Sequence, residues 1–172
     1  MNHDKLLNNE KGSSFFGAKI KIENSAGRFT LRTLSTMAEL SQAFQLRFQV
    51  FQVEMGGGNV FEGRDHDEFD WVSDHIGIFD SKSDQMIATC RLNCSLFSNK
   101  FYSEQEFNCS QLIQQPQTKL EIGRVCVRRE FRKGIVIMLL WRAIAQYMNK
   151  SQARFLFGCG SVQLFRYMSY FR

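Results

Sequence analysis

Glu121 and Arg124 stand three residues apart inside the run KLEIGRVCVRREFRKGI, residues 119–135. Around them Leu120, Ile122, Val125, Cys126 and Val127 are apolar and mostly β-prone, so the first half of this run reads as a buried strand. A carboxylate and a guanidinium are seldom buried without a partner or a task. In a regular strand, residues three apart point to opposite faces. Gly123 lies between them, and glycine inside a strand marks a bulge. A bulge would turn both charges to one pocket and free backbone N–H groups beside it. The pair is either an ion pair that only holds the strand or part of a reactive site. Downstream, Arg128, Arg129, Arg132 and Lys133 form a basic turn that Gly134 closes before an apolar helix. Such a turn is either a solvated helix start or a seat for an anion, with the helix N-terminal amides aimed at it.

Two more arginines fall at inward positions. Thr36 and Glu39 form a capping box for a helix running to about Val53, with Leu40, Ala43, Phe44, Arg47 and Phe51 on one face. Arg47 either snorkels to the surface along its stem or reaches a polar pocket. Arg91 shares one face of a strand, Gln85–Asn93, with Ile87 and Thr89, while Met86, Ala88, Cys90 and Leu92 share the other. The run RDHDEFD, residues 64–70, reads by default as solvated loop. Its Asp65, His66, Asp67 and Asp70 are hard-metal donors too, but EF-hand spacing is missing and no metal is expected. Gly56, Gly57 and Gly58 lack the preceding strand and following GK[ST] of a phosphate loop.

The elements that must carry these residues alternate along the chain. Residues 1–17 are polar and aperiodic and read as a loose tail before a single domain, 18–172. Strands are expected at Ala18–Glu23, Arg28–Leu34, Ser73–Phe79, Gln85–Asn93, Leu120–Val127 and Arg154–Gly158. Further helices are expected at Ser103–Ile113, Ile135–Asn149 and Val162–Phe171. The fold class is therefore mixed α/β (α+β). The 17 phenylalanines signal either an aromatic-rich core or a cavity for a greasy ligand. Net charge is +5, which suits an acidic partner or membrane surface. Nucleic acid is not expected, since no recognised binding motif occurs. Five cysteines, odd in number and without CxxC spacing, point to reduced cytoplasmic thiols. No run approaches the roughly 18 apolar residues of a spanning helix, so any membrane contact is peripheral.

The order of elements and several separated motifs resemble the GNAT acyltransferase superfamily. They are LRFQVF (46–51), RDHDEFD (64–70), SDHIGIFD (73–80), ATCRL (88–92), FYSEQEF (101–107), LEIGRVCVRREFR (120–132), LLWRAIAQYM (139–148) and LFGCGS (156–161). The resemblance is closer to the ornithine-lipid N-acyltransferase branch, often labelled hemolysin-like, which is related to the acyl-homoserine-lactone synthases. It implies a mostly antiparallel central sheet flanked by helices and a shared polar set at Arg47, Asp67, Asp70, Arg91, Glu121 and Arg124. It also implies two further strands after the last helix, so the C-terminal strands are expected to be missing. The superfamily's usual pyrophosphate loop is reduced to Arg132-Lys133-Gly134-Ile135. That departure implies an acyl-carrier-protein donor, presenting its chain on phosphopantetheine, over acyl-CoA, with no tightly bound cofactor.

The implied reaction moves a long acyl chain, with or without a 3-hydroxyl, to the α-amine of an amino acid, ornithine foremost. Glu121 is then the proton acceptor beside Arg124, and the N–H groups of Val125, Cys126 and Val127 receive the oxyanion. Arg47, Asp67, Asp70 and Arg91 shape the acceptor pocket. Arg128, Arg129, Arg132, Lys133 and Gly134 meet the donor's phosphate and the acidic carrier. The expected location is cytoplasmic, peripheral at the inner membrane face. Two alternatives stay open: acyl-homoserine-lactone synthesis, and a non-catalytic module that binds the carrier protein or lipid. Cys126 reads as a strand residue before a nucleophile.

Overall fold

The computed structural model describes residues 17–56, 63–132 and 134–160. Residues 1–16 of the expected N-terminal tail, Gly57 and Gly58, Lys133 and the expected helix 162–171 lie outside the described residues.

The described residues build six strands: β1 (Glu23–Ala26), β2 (Phe29–Thr33), β3 (Asp74–Asp80), β4 (Gln85–Cys94), β5 (Lys119–Val127) and β6 (Phe155–Phe157). They form one sheet in chain order. Every neighbouring pair is antiparallel except β5 and β6, which run parallel. Helix α1 (Met37–Arg47) covers one face and α3 (Ile135–Ser151) the other. On the α3 side, Val136, Leu139, Leu140, Ala143, Ile144 and Tyr147 bury against Ile76, Ile78, Cys90, Leu92 and Leu120. On the α1 side, Ala43, Leu46 and Val50 meet Leu34, Phe79, Met86 and Cys126.

Local chemistry sets the helix ends. Thr36 accepts from Glu39 N while the Glu39 carboxylate takes the Thr36 N–H, closing the expected capping box. The helix does not stay α to Val53: after Arg47 it widens into a π-helical stretch, Phe48–Glu54, the kind of bulge that recurs at functional sites. The helix expected at Ser103–Ile113 is two single turns, a 3-10 turn at Tyr102–Gln105 and α2 at Ser110–Ile113. The Glu104 carboxylate accepts the Phe101 N–H at 2.8 Å and so caps the first of these turns. The first strand starts later than expected, at Glu23, because Lys19 and Ile20 give their N–H groups to the Asp74 carboxylate at 2.9 and 3.0 Å instead of to a neighbouring strand. Met86 leaves the face of Ala88, Cys90 and Leu92: the β3–β4 register shifts there, and Met86 turns to the α1 side.

Candidate active site

The carboxylates of RDHDEFD are ordered by the backbone before they meet any arginine. Asp67 caps the 3-10 turn Glu68–Trp71 by accepting from Phe69 N at 2.9 Å, and Asp70 Oδ2 accepts the Asp67 N–H at 2.7 Å. Three arginines from three elements then converge on this loop. Arg47, the last residue of α1, holds Asp70 by both terminal nitrogens and Asp65 Oδ1 at 3.0 Å. Arg91 on β4 bridges Asp67 and Asp70. Arg124 on β5 donates to Asp67 Oδ2 at 2.9 Å and lies 3.7 Å from Asp65. Arg47 is 1% exposed, so it reaches a polar pocket and does not snorkel. Each carboxylate of Asp65, Asp67 and Asp70 is thus answered by guanidinium, which explains how charges persist inside.

His75 completes the wall from β3, its Nε2 donating to the Asp70 carbonyl at 3.1 Å. Burial pushes the imidazole down to about 4 even though Asp70 pulls the other way, so it is neutral near pH 7. Burial alone would raise Asp70, but Arg47 foremost, with Arg91 beside it, holds that carboxyl well below the usual range. The Tyr102 ring lies under both Arg91 and Arg124, 5.7 and 5.5 Å from their guanidinium carbons.

Glu121 and Arg124 do share a face, and the bulge is the reason. Arg91 pairs with Gly123 but Thr89 pairs with Cys126, so β5 carries one extra residue opposite Cys90. Arg124 adopts φ +51° there, a left-handed conformation uncommon outside glycine. The two charges do not form an ion pair with each other. Glu121, 3% exposed, accepts from Tyr102 N at 3.0 Å, Ser103 N at 2.7 Å and Ser103 Oγ at 2.7 Å. Its carboxylate anchors the FYSEQEF turn, while Arg124 faces Asp65 and Asp67.

The sheet forks next to this cluster. β6 pairs with β5 only over Lys119–Glu121 against Phe155–Phe157. At the next position Gly158 lies so close that an added Cβ would stand 2.1 Å from the Ile122 carbonyl oxygen. Beyond it, among the described residues, no strand pairs with β5 on that side. Antiparallel ladders alternate the direction of their N–H groups. Arg128 N bonds Ile87 O across the β4 edge, so Cys126, two residues earlier and opposite Thr89, also turns its N–H to β4. Val125 and Val127 lie on the open edge. Cys126 therefore drops out of the expected oxyanion set, and its thiol, pushed up to about 12 by burial, is no ready nucleophile.

The basic turn is partly tied down. Arg128 Nε donates to Met86 O, and Arg132 donates to Val127 O and pairs with Glu54 at the end of the π stretch. Arg129 is exposed. Gly134, at φ +89°, swings the chain into α3, whose first amides have no side-chain cap among the described residues. Lys133 lies outside the described residues.

A family profile, the GNAT acetyltransferase domain, matches residues 46–142. The chain belongs to the GNAT family. This GNAT domain is 32% identical over 149 residues to the L-ornithine N(alpha)-acyltransferase of Brucella abortus (strain 2308), covering 78% of this chain and 53% of that protein. It is 28% identical over 145 residues to the enzyme of the same name from Rhodobacter capsulatus, covering 77% and 56%. The chain thus spans about half the length of the curated relatives it matches. Among solved structures, the AHL synthase LasI has the same fold, with a TM-score of 0.61 at 16% identity over 84% of this chain and 78% of that one.

Sequence reasoning placed Arg47, Asp67, Asp70, Arg91, Glu121 and Arg124, and the structure brings all six into one region. It missed Asp65 as a partner of two arginines, and Tyr102 and Ser103 as partners of Glu121. The FYSEQEF motif was visible, but nothing in its spacing says that its backbone amides close on a carboxylate 18 residues away.

Proposed function

We propose that this GNAT domain transfers a long acyl chain, 3-hydroxylated or plain, from acyl carrier protein to the α-amine of an amino acid, with ornithine as the acceptor. The names of its relatives favour this acceptor. One observation carries the chemistry: Glu121 and Arg124 face the same way at the mouth of a forked sheet, against a wall of paired arginines and aspartates.

An α-amine with a pKa of about 7.7–8.0 must lose a proton to attack a thioester. Glu121 is the acceptor of that proton. The nitrogen bonds to the thioester carbon, the C–S bond breaks, and the thiol leaves with the proton. The open-edge N–H groups of Val125 and Val127 stabilise the tetrahedral oxyanion, an effect of about 3–4 kcal/mol per donor. Arg124, its side chain 28% exposed, offers its free donors to the acceptor's carboxylate. Arg47, Arg91, Asp67 and Asp70 hold the wall in place. Arg129 and the uncapped first turn of α3 receive the phosphate of the pantetheine arm, with Arg128, Arg132, Lys133 and Gly134 shaping that turn. The single glycine of the turn favours acyl carrier protein over acyl-CoA.

Among the described residues no helix is long and apolar enough to cross a membrane. Exposed Met138 and Trp141 on α3, near Arg142, suit a peripheral contact at the inner face of the cytoplasmic membrane.

The test is incubation with hexadecanoyl-acyl carrier protein and either L-ornithine or S-adenosylmethionine, with products read by mass. N-acylornithine is expected. An acyl-homoserine lactone, or carrier binding without thioester loss, overturns the proposal.

A further inference from the structure

Glu121 Oε1 accepts a hydrogen bond from Ser103 Oγ at 2.7 Å, and Ser103 Oγ accepts one from Cys159 Sγ at 3.4 Å. This chain crosses the mouth of the fork, because Glu121 belongs to the last β5–β6 pair, opposite Phe157, and Cys159 lies two residues past it. A serine hydroxyl has one proton and two acceptor lone pairs. Ser103 gives its proton to Glu121 and meets the thiol with one lone pair, which leaves the other open.

On the other flank of the same carboxylate stands Asn93, 1% exposed. Its Nδ2 donates to Lys100 O at 2.8 Å and lies 3.5 Å from Glu121 Oε2, while its buried Oδ1 meets no donor among the described residues. Turning the amide over would set Oδ1 against two oxygens, so this orientation is fixed. An unmet buried acceptor is costly. An amine N–H is the kind of donor that would answer Asn93 Oδ1 on one flank of the carboxylate or the open lone pair of Ser103 on the other. Glu121 and Ser103 are equally closed to solvent, each 3% exposed, so acceptor capacity separates them: Glu121 already accepts three short hydrogen bonds, while Ser103 keeps one lone pair open.

We propose that Ser103 relays the proton of the acyl transfer to Glu121 and that Asn93 Oδ1 helps seat the amine. The inference rests on the acyl-transfer reading above. As the N–C bond forms, one proton leaves the amine for Ser103 Oγ while the hydroxyl's own proton passes to Glu121 Oε1. The hydroxyl ends unchanged, and the protonated Glu121 returns the proton by the same path to the thiolate that leaves.

The experiment compares the full chain with Ser103→Ala, Ser103→Thr and Glu121→Gln, using hexadecanoyl-acyl carrier protein and L-ornithine, with thermal melts as the folding control. Ser103→Ala should lower kcat by about 100-fold at unchanged donor KM, and Ser103→Thr should recover all but about tenfold of it. Solvent isotope measurements on the wild type, in mixtures of light and heavy water, should give the bowed curve of two protons moving together. A straight one-proton line overturns the relay even if no Ser103 variant folds. So does Ser103→Ala with full activity beside an inactive Glu121→Gln, which leaves the carboxylate as base. A fully active Glu121→Gln, or a wild type that consumes no thioester, sinks the acyl-transfer mechanism itself.

Discussion

Arg47 closes both of its terminal nitrogens on Asp70, Nη1 on Oδ1 at 2.7 Å and Nη2 on Oδ2 at 3.1 Å. Neither side chain is more than 1% exposed. This parallel fork is the strongest geometry a guanidinium and a carboxylate can adopt. It links α1 to the loop that carries Asp67, and Arg91 adds a third contact at 3.2 Å from β4. Asp70→Asn keeps the shape but leaves two buried guanidiniums short of negative charge. It is expected to lower the unfolding free energy by about 3–5 kcal/mol. Urea unfolding checks this, and an unchanged midpoint would show that the wall holds without the charge. Arg47→Lys should also destabilise, because a single ammonium cannot span both oxygens.

His75 makes stability depend on mild acid. Its ordinary pKa is near 6.5, and burial brings it to about 4 in the native protein. Between those values the unfolded chain binds a proton that the native protein refuses. Stability is therefore complete above pH 6.5 and falls as the pH drops toward 4, by one proton, or about 1.4 kcal/mol per pH unit. Asp70, held low by Arg47, adds its own loss only at more acidic pH. In His75→Gln the unfolding free energy should be lower overall but flatter from pH 6.5 to 4. An unchanged slope in that variant would assign the titration elsewhere.

The β3–β4 hairpin was legible because both strands are apolar and β-prone and the turn between them is short. The capping box at Thr36 and the bulge after Gly123 were legible for the same reason: each is a local pattern whose physics fits within a few residues. What stayed hidden is non-local. Asp65 looks like any loop aspartate until Arg47 and Arg124 arrive from two other elements. Glu121 looked like a partner for Arg124, since both are charged and close in sequence. The nearer donors are backbone amides of a turn that the sequence suggested was a longer helix. Register slips misled too: one extra residue on β4 moved Met86 to the opposite face.

Arg124 separates strain from function. Its φ of +51° costs on the order of 1 kcal/mol in a residue with a Cβ. Arg124→Gly removes that strain along with the partly exposed contacts to Asp65 and Asp67. The two changes should nearly offset, leaving the unfolding free energy within about 1 kcal/mol of wild type. On the proposed role of Arg124, activity should nevertheless drop by about 10–100-fold, the worth of one charged hydrogen bond to an acceptor carboxylate. An Arg124→Gly variant that turns over normally would confine Arg124 to a structural role.

Gly158 tests whether the fork itself matters. A Cβ at that position would sit 2.1 Å from the Ile122 carbonyl oxygen and 3.2 Å from its carbon, which are backbone atoms that no rotamer change can move. Gly158→Ala must therefore push the end of β6 away from β5. β6 is only three residues long, so the shift reaches Cys159 and parts it from Ser103. Overpacking of this kind costs about 1–3 kcal/mol. On the proposed acyl transfer, turnover should fall further than that loss of stability explains, because the displaced chain is the one that meets Ser103 beside Glu121. Gly160→Ala is the control, since nothing among the described residues lies within 4 Å of the added carbon, and it should melt and turn over like wild type. If Gly158→Ala lowers the melting temperature yet leaves kcat intact in the folded fraction, the fork is a packing detail and the reaction lies elsewhere on the sheet.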